Sequence, residues 1–137
     1  MPPWCWPVAE RPLPVPDRDT APFWEAARAG RLRIQRCESC GRTVFYPRSV
    51  CPHCLSGQLT WFDCSGRGSV YSFTVVHRTS DEFRDQVPFP VGLVELEEGV
   101  RLMARLDIAE PRVGMPVEVT FERVSDELSV PHFKEVD

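Results

Sequence analysis

The sequence predicts a mainly β protein, in which a short N-terminal helix leads into a small metal-clasped ribbon and then a five-stranded barrel. Three observations carry this expectation. Cys37 and Cys40 in CESC, with Cys51 and Cys54 in CPHC, form two C-x-x-C pairs separated by ten residues. From Gly66 onward, apolar residues fall into about five strand-length runs divided by turn residues. The single helical pattern, FWEAARAG, is too short to organise a helical core.

Residues 1–19 contain Pro2, Pro3, Pro7, Pro12, Pro14 and Pro16, which withhold backbone donors and favour an extended leader. Trp4 and Trp6 are unusual in such a segment, because flexible tails are poor in aromatics, and they suit an anchor on a partner or on the chain's own surface. Residues 20–65 should hold the helix and the ribbon. Thr20 is placed to cap the helix, Pro22 fits its first turn and Gly30 stops it, with Phe23, Ala27 and Trp24 facing the ribbon. RLRIQRC then alternates with the period of a strand and runs into the first cysteine pair.

Each C-x-x-C turn aims two thiolates at one centre, and two turns complete the closed tetrahedral shell of a structural Zn2+ site. Gly41, Pro52 and Gly57 supply the turn residues that such knuckles need. Two disulfides or a redox pair are the alternatives, and a reducing compartment disfavours the disulfides. Four thiolates leave no open coordination position, so the metal should hold the fold rather than do chemistry. TVFYPRSV should give two short β arms around Pro47, and LTWFDCSG a third. A module this small lacks an adequate apolar core, and the metal takes its place. Cys5 and Cys64 remain outside the quartet and read as ordinary small residues.

Residues 66–137 should form the barrel. GSVYSFTVVHR, PVGLVELEEG, VRLMARLDI, PVEVTFERV and SVPHF are the strand count and size of an OB fold. Glu97, Glu98 and Gly99 mark a hairpin turn, PRVGMP a tight connection, and SGRGS a sharp lead into the first barrel strand. Both faces of that first strand are rather apolar, which suits a face covered by another element or another chain.

The formal net charge is −4, yet residues 28–48 carry Arg28, Arg31, Arg33, Arg36, Arg42 and Arg48 against Glu38 alone, whereas the chain from Asp81 onward is acidic. Such asymmetry suits an anion or an acidic partner at one end, or simply a solvated arginine face. Zinc ribbons and OB folds also serve nucleic acids. The acidic balance and the scarcity of basic residues interleaved with aromatics on the strands weigh against that class. No apolar run nears the roughly 20 residues that span a bilayer, and MPPWCWPVAERP lacks a signal peptide's basic start and apolar stretch, so a cytoplasmic protein without membrane contact is expected.

Catalytic candidates are few. His53, His77 and His132 are far apart in sequence, nothing local favours a Cys64 thiolate, and SGRGS lacks the Lys and helix of a phosphate loop. No catalytic residue is assigned. Arg67 sits at the junction of ribbon and barrel, where a guanidinium could meet a phosphate or a partner's carboxylate.

The order FWEAARAGRLRIQRCESCGRTVFYPRSVCPHC, WFDCSGRGSVYSFTVVHR, PFPVGLVELEEGVRLMARL and VGMPVEVTFE resembles the acyl-CoA-associated proteins of the domain of unknown function thirty-five family, over about residues 20–135. The resemblance implies a rubredoxin-like zinc ribbon joined to an OB fold, in an accessory subunit working beside a thiolase-fold enzyme. It implies as partner either a thiolase-like aldolase that cleaves steroid side-chain CoA esters, the reading favoured for this stand-alone, arginine-rich chain, or acetoacetyl-CoA thiolase with hydroxymethylglutaryl-CoA synthase. Arg28, Arg31, Arg33, Arg36, Arg48 and Arg67 are the candidates for contact with CoA or the partner, since arginine pairs bind phosphates well.

Overall fold

A computed structural model describes residues 12–136, so Trp4, Cys5, Trp6 and most of the proline-rich leader lie outside the described residues. Among the described residues the chain forms one α-helix, eight strands and a short 3-10 helix. No described helix is long and apolar enough to cross a membrane.

Helix α1 spans Ala21–Arg28. Its lead-in departs from expectation, because the Thr20 side chain caps no helical N–H. Asp17 does the local work: its Oδ1 accepts from the Thr20 N–H at 2.8 Å and the Asp19 N–H at 3.0 Å, folding the preceding turn onto its own carboxylate. The helix ends in a Schellman pair, with Gly30 N–H donating to Ala27 O at 3.0 Å and Arg31 N–H to Ala26 O at 2.9 Å. Phe23, Ala26 and Ala27 are its buried face, whereas Trp24 is half-buried with its ring 5.0 Å from Phe23 in an edge-on arrangement. This face packs against both the ribbon and the last barrel strand rather than against the ribbon alone.

The ribbon is a three-stranded antiparallel sheet with β1 (Arg33–Cys37) between β2 (Thr43–Val44) and β3 (Leu59–Asp63). TVFYPRSV contributes only the two residues of β2, because the chain must then turn to bring the second knuckle back over the first. Ile34 pairs with Phe62 and Gln35 lies between Val44 and Trp61. Buried Gln35 is satisfied by Arg48 of the intervening loop, accepting from its N–H and donating to its carbonyl oxygen, each at 2.9 Å.

The barrel comprises β4 (Arg67–Val76), β5 (Phe89–Leu96), β6 (Arg101–Leu106), β7 (Pro116–Arg123) and β8 (Ser129–Glu135), in the closed order β4-β5-β6-β8-β7. This is the five-stranded OB arrangement. Its one parallel pairing joins β6 to β8 at Arg105–His132 and Leu106–Phe133. Gly68 lies at the closing seam, where it pairs with both Leu96 and Val117, and a Cβ there would stand 2.2 Å from Glu95 O. β4 carries a bulge at Tyr71, between the Val70–Val94 and Ser72–Leu93 pairs. Val70, Val94, Leu102, Leu106, Val117 and Phe133 fill the interior and join Phe23, Leu32 and Ile34 in one core, so barrel, helix and ribbon share a hydrophobic interior.

The outer face of β4, β5 and β6 stays apolar in part. Leu93 and Met103 pair across β5–β6, Tyr71 is at the bulge, and all three are exposed. No described element covers them. Arg101 lies with its guanidinium 3.8 Å from the Tyr71 ring centroid.

Candidate metal centre

The two knuckles are built to one pattern. In the first, the Cys37 N–H donates to Arg42 O at 2.9 Å and the Gly41 N–H to Cys37 O at 2.8 Å. In the second, the Cys51 N–H donates to Ser56 O at 2.8 Å and the Leu55 N–H to Cys51 O at 2.9 Å. The fifth position of each motif must turn left-handed to close the loop. Gly41 does so at φ 76° and Leu55 at φ 64°. The expectation that Gly57 serves the second knuckle is therefore corrected: exposed Leu55 takes that conformation despite its Cβ.

Folding these turns against each other brings the sulfurs of Cys37, Cys40, Cys51 and Cys54 within 4.8 Å of one another. Cys37 Sγ is 3.5 Å from Cys54 Sγ, and Cys40 Sγ is 3.8 Å from Cys51 Sγ. A tetrahedron with Zn–S bonds of about 2.3 Å requires sulfur separations of about 3.8 Å, so the donor set fits a zinc ion. The Cys40 N–H points at Cys37 Sγ at 3.5 Å, and the His53 N–H at Cys51 Sγ at 3.4 Å, the backbone contacts that stabilise thiolates. The Cys40 N–H draws the Cys37 thiol down to about 6. Against the lowering pull of the Ser56 N–H, the Cys37 sulfur and burial push Cys54 up to about 12. A cation removes this competition, since four thiolates can coexist only around positive charge. Cys37 and Cys51 are buried and Cys40 and Cys54 exposed, so the centre lies at the ribbon's tip with one flank toward solvent.

The arginines do not form one patch. Arg31 and Arg33 both bind Asp63, at 3.1 and 2.7 Å, and Arg48 turns its Nε to Tyr46 O at 3.0 Å. Arg36 stacks 4.4 Å from the Phe62 ring centroid. Arg28 closes α1 beside Trp24 and Glu127, and Arg67 is exposed at the start of β4. Arg42, assigned no ligand role from sequence, donates to His53 Nδ1 at 3.3 Å.

Cys64 is half-buried and donates to Leu32 O at 3.1 Å. Burial pushes its thiol up to about 11, which makes it a poor nucleophile. His77 is exposed beyond the end of β4. His132, by contrast, is buried: Nδ1 lies 3.2 Å from Asp107 and Nε2 lies 2.9 Å from Glu122. Sequence reasoning missed this group because it is assembled across the β6–β8 and β7–β8 pairings, with no local motif to announce it.

Residues 24–60 match the ChsH2 rubredoxin-like zinc ribbon domain, and residues 61–122 the ChsH2 C-terminal OB-fold domain. The DUF35 domain-containing scaffold protein of Methanothermobacter thermautotrophicus is 36% identical over 100 residues, covering 70% of this chain and 75% of that protein. The chain belongs to the DUF35 family. Another relative, the 3-oxo-4,17-pregnadiene-20-carboxyl-CoA hydratase alpha subunit of Mycobacterium tuberculosis, is 41% identical over 111 residues. That match takes in 79% of this chain but 35% of the relative, so the chain spans about a third of its length. Among solved structures, an Ltp2-ChsH2(DUF35) aldolase chain superposes with a TM-score of 0.80 at 37% identity, covering 90% of this chain and 98% of that one. The zinc ribbon and OB barrel expected from the sequence are thus those of the DUF35 family.

Proposed function

We propose that this chain is a non-catalytic accessory subunit of a thiolase-fold partner, in a complex that cleaves a steroid side-chain CoA ester by a retro-aldol reaction. The observation that carries the reading is the near-complete correspondence with the DUF35 chain of the Ltp2-ChsH2(DUF35) aldolase. The kinship with a pregnadiene-carboxyl-CoA hydratase subunit supports the steroid substrate class. The exposed apolar face at Tyr71, Leu93 and Met103 supplies a docking surface of the right character for the partner.

A retro-aldol step breaks a carbon–carbon bond of a β-hydroxyacyl thioester, turns the hydroxyl carbon into a carbonyl and returns a proton to the enolate of the shortened thioester. That chemistry needs a base at the hydroxyl and an acid at the enolate carbon. The partner provides both. Here the metal shell is closed, Cys64 is held as a thiol, and the basic side chains Arg28, Arg31, Arg33, Arg36, Arg48 and Arg67 serve to contact the CoA moiety or the partner.

Co-expression with a thiolase-like candidate partner tests the proposal. The expected result is a stable complex that cleaves a β-hydroxyacyl steroid CoA ester, with neither component active alone. A chain that stays monomeric beside that protein, or a partner fully active without it, overturns the reading.

A further inference from the structure

A cleft of about 400 Å³ lies where the zinc ribbon meets the barrel, lined by Arg36, Gly41, Arg42, Thr43, His53, Glu98 and Gly99. Its volume falls in the range of small-molecule sites, about 300–1,000 Å³. The Thr43 hydroxyl donates to Glu98 O at 2.8 Å, which fixes the distance between its two walls. The Glu98 carboxylate is engaged by Ser65, from the backbone N–H at 3.3 Å and the hydroxyl at 3.1 Å. Arg36 and Arg42 have no carboxylate partner among the described residues: one stacks on Phe62, the other meets His53 Nδ1. This distinguishes them from Arg31 and Arg33, which Asp63 neutralises.

From this convergence we infer that the ribbon–barrel cleft binds a phosphate-bearing anion between Arg36 and Arg42. The planar forks of two guanidiniums can each present paired N–H donors to phosphate oxygens, as lysine cannot. Gly41 and Gly99 keep the walls free of side chains, so an anion can approach the backbone there. The inference deepens the accessory-subunit reading by giving the nucleotide end of a CoA thioester a place on this chain, and it narrows the arginine candidates to Arg36 while adding Arg42.

Titration calorimetry on the zinc-loaded full chain, with inorganic pyrophosphate and with coenzyme A as probes, tests it. Both are expected to bind, coenzyme A more tightly, and both to weaken at least fivefold in Arg36→Gln and in Arg42→Gln. Arg42→Lys should restore binding only in part, and the surface variant Arg123→Gln should bind like wild type. Zinc content and melting temperature of each variant separate lost binding from lost folding. Failure of pyrophosphate to bind the wild-type chain overturns the inference. So does an Arg42→Gln variant that loses zinc yet binds pyrophosphate unchanged, since Arg42 would then only balance the thiolate charge. Tighter, Arg42-dependent binding of a single-stranded oligonucleotide would also overturn it, in favour of a nucleic-acid site. Complex formation with the thiolase-like protein is a separate readout. If it persists without anion binding, the cleft assignment fails alone; if anion binding persists without the complex, the accessory-subunit reading fails alone.

Discussion

Thr43 and Glu98 are joined by a 2.8 Å hydrogen bond from the threonine hydroxyl to the glutamate backbone oxygen, although they are 55 residues apart. The bond ties β2 of the ribbon to the β5–β6 turn of the barrel. Thr43→Val keeps the shape and removes the donor, leaving Glu98 O without this partner. A loss of about 1 kcal/mol is expected, read as a shift of the urea midpoint of the zinc-loaded protein at constant slope.

The repeated knuckle predicts opposite responses at equivalent positions. Leu55→Gly relieves a side chain held at φ 64° and removes little burial, because Leu55 is 78% exposed. The strain released, offset by the extra freedom of glycine in the unfolded chain, leaves a gain of about 0.5–1 kcal/mol. Gly41→Ala meets no neighbouring atom but adds a Cβ at φ 76°, so it should destabilise by about 1 kcal/mol. Chemical denaturation of both variants checks the pair.

Chelation should release one zinc per chain and expose four thiols together, because Cys37, Cys40, Cys51 and Cys54 form one closed shell. A metallochromic dye and a thiol reagent followed in parallel measure the ratio. Cys37→Ser should abolish tight retention of the metal and lower the melting temperature of the whole chain, since the helix and ribbon share their core with the barrel.

Asp63 gives the fold an acid-sensitive component. Its bond to Arg33 holds the carboxyl below its ordinary value, so the folded pKa is lower than the unfolded one. The ion pair therefore stabilises fully above the unfolded value of about 4, and its contribution disappears as pH falls through the folded value. Asp63 is 39% exposed in its side chain, which limits the effect at pH 7 to less than about 1 kcal/mol. Asp63→Asn should show that deficit at pH 7 and converge with wild type toward pH 2, as followed by denaturant midpoints across the range.

Cys64, with its thiol pushed up to about 11, should resist iodoacetamide at neutral pH and react progressively faster as the solution approaches pH 10. Mass spectrometry of the zinc-loaded protein distinguishes it from the four ligands. Rapid alkylation of Cys64 at pH 7 would contradict its half-buried placement beside Leu32.

Local chemistry made much of the fold readable. The spacing of the four cysteines specifies a tetrahedral shell wherever the knuckles lie, and the alternation and turn residues after Gly66 specify five strands. Capping is less legible: Thr20 suits an N-cap by type, but its hydroxyl turns back to Asp17, accepting from the Asp17 N–H and donating to its carboxylate, each at 3.0 Å. Leu55 escaped for a related reason, since a left-handed leucine has no signature in composition and is held there by the bonds of its knuckle.

By itself, the sequence determined the metal shell and the succession of strands, because each depends on residue type at short spacing, while the family rested on a resemblance over about residues 20–135. Only the tertiary structure decided which arginines stay without a carboxylate partner among the described residues. Asp63 pairs across β1–β3 with Arg31 and Arg33, while the ribbon–barrel junction brings Arg36 and Arg42 to one cleft. It also decided that His132 lies buried between Asp107 and Glu122. Charge pairing over such separations follows from strand register and barrel closure, which no local run of residues encodes.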